Sequence, residues 1–432
     1  MTSRYRVEYA LKQHRRDEFI EWIKGLLAVP FVLYAVKSNG ITCVDEIKTN
    51  LDAKRRYAEI FYDIEKLVDD QLQMQLNNTI QLSRLKQLIP SIGSFFTRLS
   101  LEKAFYIEDD KRSISKRRLV APSFNDIRII LNTAQILELS NNFHSDKNGL
   151  KLITFDGDVT LYDDGNSLES NSPIIPLIIS LLSKDIFIGI VTAAGYSEIS
   201  GAKYYSRLKG LIDEIEISDK LTDKQRENLL VMGGEANYLF KYNNKIKNLK
   251  FIETEDWYLD SMKNWEEINI IKTLNFVESA LKELIIKLEL PAHIIRKERG
   301  VGLVPFENKK LLREQLEEVV LRVDNLIKNF PFAKDIKVCA FNGGSDVWVD
   351  IGDKSLGVEA LQDYLTKNET NGDLKSKFSP NNTLHVGDQF ASVGANDFRA
   401  RLSACTVWIA SPEETRAMLS DLNKYIDEWS RY

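Results

Sequence analysis

The stretch Leu152-Ile153-Thr154-Phe155-Asp156-Gly157-Asp158-Val159-Thr160 decides how the chain is read. A short apolar run closed by an Asp/Gly turn predicts a buried strand. The first carboxylate then emerges at its carboxyl end, where open α/β sheets place their ligands. Gly157 eases a bend that turns Asp156 and Asp158 towards one site. One carboxylate can attack an electrophile while the other moves a proton. A solvated Asp/Gly turn has the same local composition, so the surroundings must decide between the two.

Outward from that stretch, short apolar runs alternate with helical segments, the pattern of a parallel sheet. Residues 186–191, 383–386 and 406–409 predict further strands, and residues 176–183 a helix. Between about 200 and 340 the signal is mixed. Two amphipathic helices, near 265–288 and 309–329, flank a turn-rich stretch at 296–305, which predicts an insertion into one sheet domain. Residues 1–148 read as helical. Residues 57–82 carry a stripe of Ile60, Phe61, Ile64, Leu67 and Val68, Pro90 and Pro122 mark breaks, and residues 141–148 suit a linker.

Composition bounds the function. The 432 residues are 44% hydrophobic and 10% aromatic, which suits a packed globular protein of two or three domains. A net charge of −5 argues against general nucleic-acid binding, although a local basic pocket can still hold a small anion. Cys43, Cys339 and Cys405 have neither metal-ligand nor redox spacing, and an odd count predicts a reducing, cytoplasmic setting. The first six residues lack the apolar core of a signal peptide, and no run of about 20 apolar residues predicts a membrane span.

Three more features follow predicted strands in order. Thr192 leads into Ala193-Ala194-Gly195, where a hydroxyl and backbone N–H groups can hold a phosphoryl oxygen, or where the hydroxyl simply caps a helix. Lys354 lies in Gly352-Asp353-Lys354-Ser355 and can neutralise a carboxylate and a phosphate together, or stand solvated on a surface. Gly387-Asp388-Gln389-Phe390 runs on to Gly394-Ala395-Asn396-Asp397 and suits a hard cation held by oxygen.

The order D-x-D-x-T, S/T, K and G-D-x(7–8)-N/D over residues 150–432 resembles the haloacid dehalogenase superfamily of phosphohydrolases. The resemblance implies an α/β fold: a Rossmann-like core (residues 149–198 and 345–432), an inserted α/β cap (199–344) and a helical N-terminal domain (1–148) for regulation or oligomerisation. It implies Asp156 as nucleophile, Asp158 as proton donor and base, Thr192 and Lys354 as phosphate ligands, and Mg²⁺ held by Asp156, the Asp158 carbonyl and Asp388. Residues 296–305 and 341–354 resemble strands of the phosphomannomutase-type cap. Val159 departs from the superfamily pattern, which has glycine after the second Asp.

The stretches at 120–128, 154–162, 190–196 and 385–390 together resemble the fungal IMP-specific 5′-nucleotidases. That implies Mg²⁺-dependent hydrolysis of inosine 5′-monophosphate (IMP) to inosine and phosphate, stimulation by ATP, and a homo-oligomer, with a tetramer suspected. A sugar-phosphate phosphatase or phosphomutase is the alternative reaction, and a non-catalytic nucleotide sensor the alternative class. For the substrate, Asp164 can accept from ribose hydroxyls and Asp346 from the N1–H of hypoxanthine, each competing with a plain turn or loop carboxylate. Phe390 can stack on the base or fill the core, and Arg207 and Arg296 can meet phosphate or base. Lys116, Arg117 and Arg118 form a candidate allosteric nucleotide site, with a solvated basic helix as the other reading. His385, inside an apolar strand, reads as a packed histidine, and His14, His144 and His293 share no motif.

Overall fold

The structure is a computed structural model that describes residues 17–34, 43–143, 149–369, 377–390 and 394–429. His14 and His144 lie outside the described residues, as does the first hexapeptide. Two compact units are distinguished. One comprises Met1–Gly149, Cys405–Trp408 and Lys424–Tyr432, the other Leu150–Ala404 and Ile409–Asn423.

The first unit is built on helices α1 (Glu18–Tyr34), α2 (Cys43–Leu76), α3 (Leu101–Arg112) and α4 (Phe124–Asn141). The buried seam of α2 is Tyr57, Phe61, Ile64, Val68 and Gln71, at alternating four- and three-residue steps. This is narrower than the stripe expected from sequence, because Ile60 and Leu67 sit half-exposed at its margins. Phe61 stacks on Phe105 of α3, with ring centroids 5.3 Å apart. Ser123 caps α4 and forms a capping box with Asp126, so Pro122 ends one segment where the next begins. The strand Cys405–Trp408 belongs to this unit and is tied to α4 through Asn132, which accepts from Trp408 N at 3.0 Å and donates to its carbonyl at 2.6 Å.

In the second unit the main sheet is formed by β1 (Leu152–Phe155), β2 (Phe187–Thr192), β3 (Leu229–Gly233), β4 (Tyr238–Asn243) and β5 (Asn248–Ile252). A four-stranded antiparallel sheet follows, from β6 (Ala292–Arg296), β7 (Gly300–Pro305), β8 (Val338–Asn342) and β9 (Val347–Ile351). The chain then enters helix α5 (Lys354–Glu369) and returns to the main sheet as β10 (Thr383–Gly387), before the short helix α6 (Asn396–Ala400). The main sheet runs β10-β1-β2-β3-β4-β5, with β10, β1, β2 and β3 parallel. β1 is thus flanked by β2 on one side and β10 on the other, the switch point at which such sheets bind ligands.

The sheets draw the insertion differently from the boundaries 199–344. Leu229–Gly233 is buried throughout and pairs in parallel with β2, so β3 and the β4–β5 ribbon extend the main sheet. The second sheet closes only at Ile351. Its order is β6-β7-β9-β8, and one face packs on the helices Glu267–Lys287 and Arg313–Lys328 through Leu274, Val277, Val319, Val323, Val301, Leu303, Val347 and Val349. Only residues 297–299 of the turn-rich stretch 296–305 form a turn, with Arg296 ending β6 and Gly300–Pro305 forming β7. Gly300 and Gly302 alternate with Val301 and Leu303. A Cβ at Gly302 would meet the Trp348 ring at 2.7 Å, and one at Gly300 would meet Asp350 Oδ1 at 2.0 Å. These glycines make room for large side chains on the neighbouring strand. Among the described residues no helix is long and apolar enough to cross a membrane.

Candidate active site

Strand register assembles the site. Phe155 lies opposite Val386 on β10 and Ile190 on β2, so Asp156, Asp388 and Thr192 leave one edge of the sheet within two residues of that row. Asp156 N donates to the Val386 carbonyl at 2.9 Å, and Asp156 Oδ1 accepts from Gly157 N at 2.8 Å. Gly157 makes room for the Tyr162 hydroxyl, which would stand 2.5 Å from a Cβ there. Val159 adopts φ +59°, the left-handed region that β-branched residues avoid. That explains why glycine suits this position, and it marks local strain beside the carboxylate pair.

Lys354, the first residue of α5, is fully buried. Its Nζ lies 2.9 Å from Asp156 Oδ1 and 2.6 Å from Asp397 Oδ1. Burial alone would favour the neutral amine, but Asp156, Asp397 and Glu235 more than offset it and hold the ammonium charged. Asp397 also accepts from His385 Nε2 at 2.9 Å and, through Oδ2, from Gln389 N at 2.8 Å. Burial opposes its ionisation, yet Lys354 and His385 keep its carboxyl below the usual range. His385 is pushed towards the neutral form by burial. Since Asp397 only accepts, Nε2 carries the proton and Nδ1 accepts from the Thr154 hydroxyl at 2.9 Å. The packed histidine of the sequence reading is thus also a link in a chain from Thr154 to Asp397.

One ligand atom each from Asp156, Asp388 and Asp397 falls within a 4.8 Å cluster. Among the described residues Asp388 Oδ1 is buried without a hydrogen-bond partner. Burial pushes the carboxyls of Asp156 and Asp388 well above the usual range, with Asp397 adding to both and Asp156 to Asp388. Orphaned oxygen, clustered carboxylates and unfavourable negative charge together fit a hard divalent cation. Asp397 already has Lys354, His385 and Gln389 as partners, so Asp156 and Asp388 are the better-placed ligands.

Asp158 is half-buried; its Oδ1 accepts from Gly165 N at 3.0 Å and lies 3.9 Å from Arg207 Nη1. Thr192 is buried and its hydroxyl oxygen accepts from Ala194 N at 3.1 Å, so it also caps the following turn. Asp164 is exposed, and Asp346 is half-buried with its carboxyl pushed up by burial and by Asp164, which brings these two into one electrostatic neighbourhood. Phe390 is fully buried beneath Arg401, with the guanidinium 5.0 Å from the ring centroid. Arg296 pairs with Glu278 at 3.4 Å. In the helical unit, Arg117 is held by both oxygens of Asp126 and Arg118 by Asn50, while Lys116 is exposed.

Two residues here, His385 and Glu235, carry no sequence signal of function, and a third, Asp397, lies in the stretch that suits a cation without a role of its own. Asp397 was visible in the Asn396-Asp397 pair, but the lysine it holds is 43 positions away. His385 gave no signal beyond its place in an apolar strand. Glu235, in Gly233-Gly234-Glu235-Ala236-Asn237, is fully buried; its Oε1 accepts from Asn396 Nδ2 at 3.1 Å, and burial pushes its carboxyl up to about 8.

Comparison with known proteins points to one family. The model of the IMP-specific 5′-nucleotidase family matches residues 1–419. An IMP-specific 5′-nucleotidase 1 from Yarrowia lipolytica is 52% identical over 99% of this chain and 98% of its own length, and one from Saccharomyces cerevisiae 49% identical over 96% and 98%. Among solved structures, an IMP-bound mutant of Plasmodium falciparum IMP-nucleotidase superposes with a TM-score of 0.76 at 34% identity, covering 96% of this chain and 94% of that one. An ATP-bound form of the Plasmodium falciparum enzyme gives 0.75 at 34% identity, covering 98% and 88%.

Proposed function

Because the chain belongs to the IMP-specific 5′-nucleotidase family and is a phosphoric monoester hydrolase acting on IMP, we propose that Asp156 attacks phosphorus in that reaction. The observation that carries this is the bridge from Lys354 Nζ to Asp156 and Asp397 inside a cluster of three carboxylates. An Asp156 oxygen forms a bond to phosphorus as the bond from phosphorus to the ribose 5′ oxygen breaks. Asp158 gives its proton to the departing oxygen and inosine leaves. Asp158 then takes a proton from water, which hydrolyses the aspartyl phosphate and frees Asp156.

Lys354 holds Asp156 aligned and offsets the charge gathered when a carboxylate meets a phosphate monoester. Thr192, with the backbone of the turn after it, receives the phosphoryl oxygens. Asp156, Asp388 and the Asp158 carbonyl would hold Mg²⁺, which supplies charge neutralisation at the transferring phosphoryl group. Asp164 accepts from the ribose hydroxyls and Asp346 from the hypoxanthine N1–H. The test is rapid quenching with IMP labelled in its phosphate: acid-stable label on the peptide containing Asp156, lost in Asp156→Asn, is expected. Turnover with no label on that peptide would overturn the covalent route.

The same reading includes a regulatory nucleotide. The ATP-bound Plasmodium falciparum structure supports looking for one, and Lys116, Arg117 and Arg118 are the candidate contacts in the helical unit, proposed to assemble as a homo-oligomer in the cytoplasm. Arg117 would have to exchange Asp126 for phosphate. Titration of ATP into wild type and Lys116→Ala, with mass measured by light scattering in parallel, tests both points; unchanged ATP affinity would remove Lys116 from the site.

A further inference from the structure

Glu235 is a fully buried carboxyl for which the reaction as described has no use. Its loop leaves β3 with Gly234, Glu235 and Ala236 all in the left-handed region, at φ +63°, +56° and +79°. Two of these are not glycine, a costly backbone that persists only where the surroundings impose it. They do so on several sides. Glu235 N lies 3.4 Å from the Thr192 carbonyl, Asn237 Nδ2 donates to the Ile351 carbonyl at 2.5 Å, and the Glu235 carbonyl leaves no room for a Cβ at Gly352. The loop therefore abuts the end of β2, the entry to Lys354, and, through the side chain, Asn396 beside Asp397.

Among the described residues, two oxygens in this contact find no partner: Glu235 Oε2 and Asn396 Oδ1 are both buried, although the two side chains bond to each other through Oε1 and Nδ2. In the ionised form of Glu235, which a nearby cation favours, both oxygens are acceptors, and the large majority of buried acceptors in proteins are satisfied, so a donor belongs here. Lys354 is already shared between Asp156 and Asp397, and a phosphate monoester brings mainly acceptors. Water bound to a divalent cation brings strongly polarised O–H donors, and Mg²⁺ retains several waters when carboxylates hold it. Among the described residues Glu235 is not in the 4.8 Å cluster of carboxylates, so it is not placed to ligate a cation there directly.

We infer that Glu235 is a positioning residue that, with Asn396, receives hydrogen bonds from water coordinated to the divalent cation at Asp156 and Asp388. This rests on the cation of the proposed function. Outer partners of this kind set metal affinity by roughly 10- to 100-fold. The experiment titrates Mn²⁺ into substrate-free wild type, Glu235→Gln and Asn396→Ala, reading Kd and the relaxation rate of water protons on the bound ion, with thermal unfolding of the cation-free proteins as the folding control. Glu235→Gln keeps the shape but turns an N–H towards the water, so its Kd for Mn²⁺ should weaken by about 10- to 100-fold, with altered relaxation and an unfolding temperature no lower than wild type. Asn396→Ala should weaken Kd likewise, and it carries the test if Glu235→Gln fails to fold. A wild-type Kd in Glu235→Gln, or lower stability with no change in Kd, would overturn the inference. Failure of wild type itself to bind would instead sink the cation reading beneath it.

Discussion

Asp126 in the helical unit and Asp156 in the α/β unit are both buried carboxylates facing a basic side chain, yet their surroundings treat them oppositely. Asp126 accepts from Arg117 at 2.7 and 3.1 Å and from both the N–H and hydroxyl of Ser123. Burial opposes its charge, but these donors more than offset it and hold the carboxyl below its ordinary range. Asp156 shares one lysine with Asp397 and faces Asp388, and its carboxyl is pushed up. A carboxylate supplied with donors stabilises the fold; one left short of positive charge suits the cation and the electrophile proposed for Asp156.

The sharpest way to break this contrast is Asp156→Asn. It should cut phosphate release from IMP by on the order of 10⁴-fold or more, as expected for a nucleophile, with thermal unfolding unchanged or raised. Wild-type turnover in that variant would end the assignment. Next, Lys354→Ala strands Asp156 and Asp397 without their cation and should lower stability to urea by about 3–5 kcal/mol. A loss as small as that of a surface lysine would mean that the buried bridge contributes little.

On the helical side, Asp126→Asn should cost about 1–3 kcal/mol at neutral pH through lost charge-assisted hydrogen bonds. Because the folded-state pKa of Asp126 is depressed, its contribution is present above the ordinary carboxylate range and fades as pH falls through the folded value. The stability gap between wild type and Asp126→Asn should therefore close in acid; a gap independent of pH would show that charge is not its source. The smallest effect is expected at Val159. Val159→Gly relieves the left-handed backbone and should stabilise by roughly 1 kcal/mol in a thermal shift. A destabilised variant would show that side-chain packing, not backbone strain, dominates there.

Much of the site was legible in the chain because each group follows its own strand: Asp156 after Leu152–Phe155, Thr192 at the end of Phe187–Thr192, Asp388 directly after Thr383–Gly387. Local apolar runs carry that signal. Relations between strands were not legible. Thr154, His385 and Asp397 form one chain across separations of 231 and 12 residues, and Glu235 meets Asn396 across 161. Gly300 and Gly302 read as turn residues because glycine usually marks a turn, whereas here they make space for Asp350 and Trp348.

The sequence by itself determined the kind of chemistry and the strand ends that bear it, since residue type and apolar periodicity are local properties. Its likeness to a nucleotidase family supplied the expected substrate. Only the tertiary structure decided which carboxylates are satisfied and which are short of charge. That depends on how many donors reach each oxygen once water is gone, and parallel pairing of distant strands sets that number.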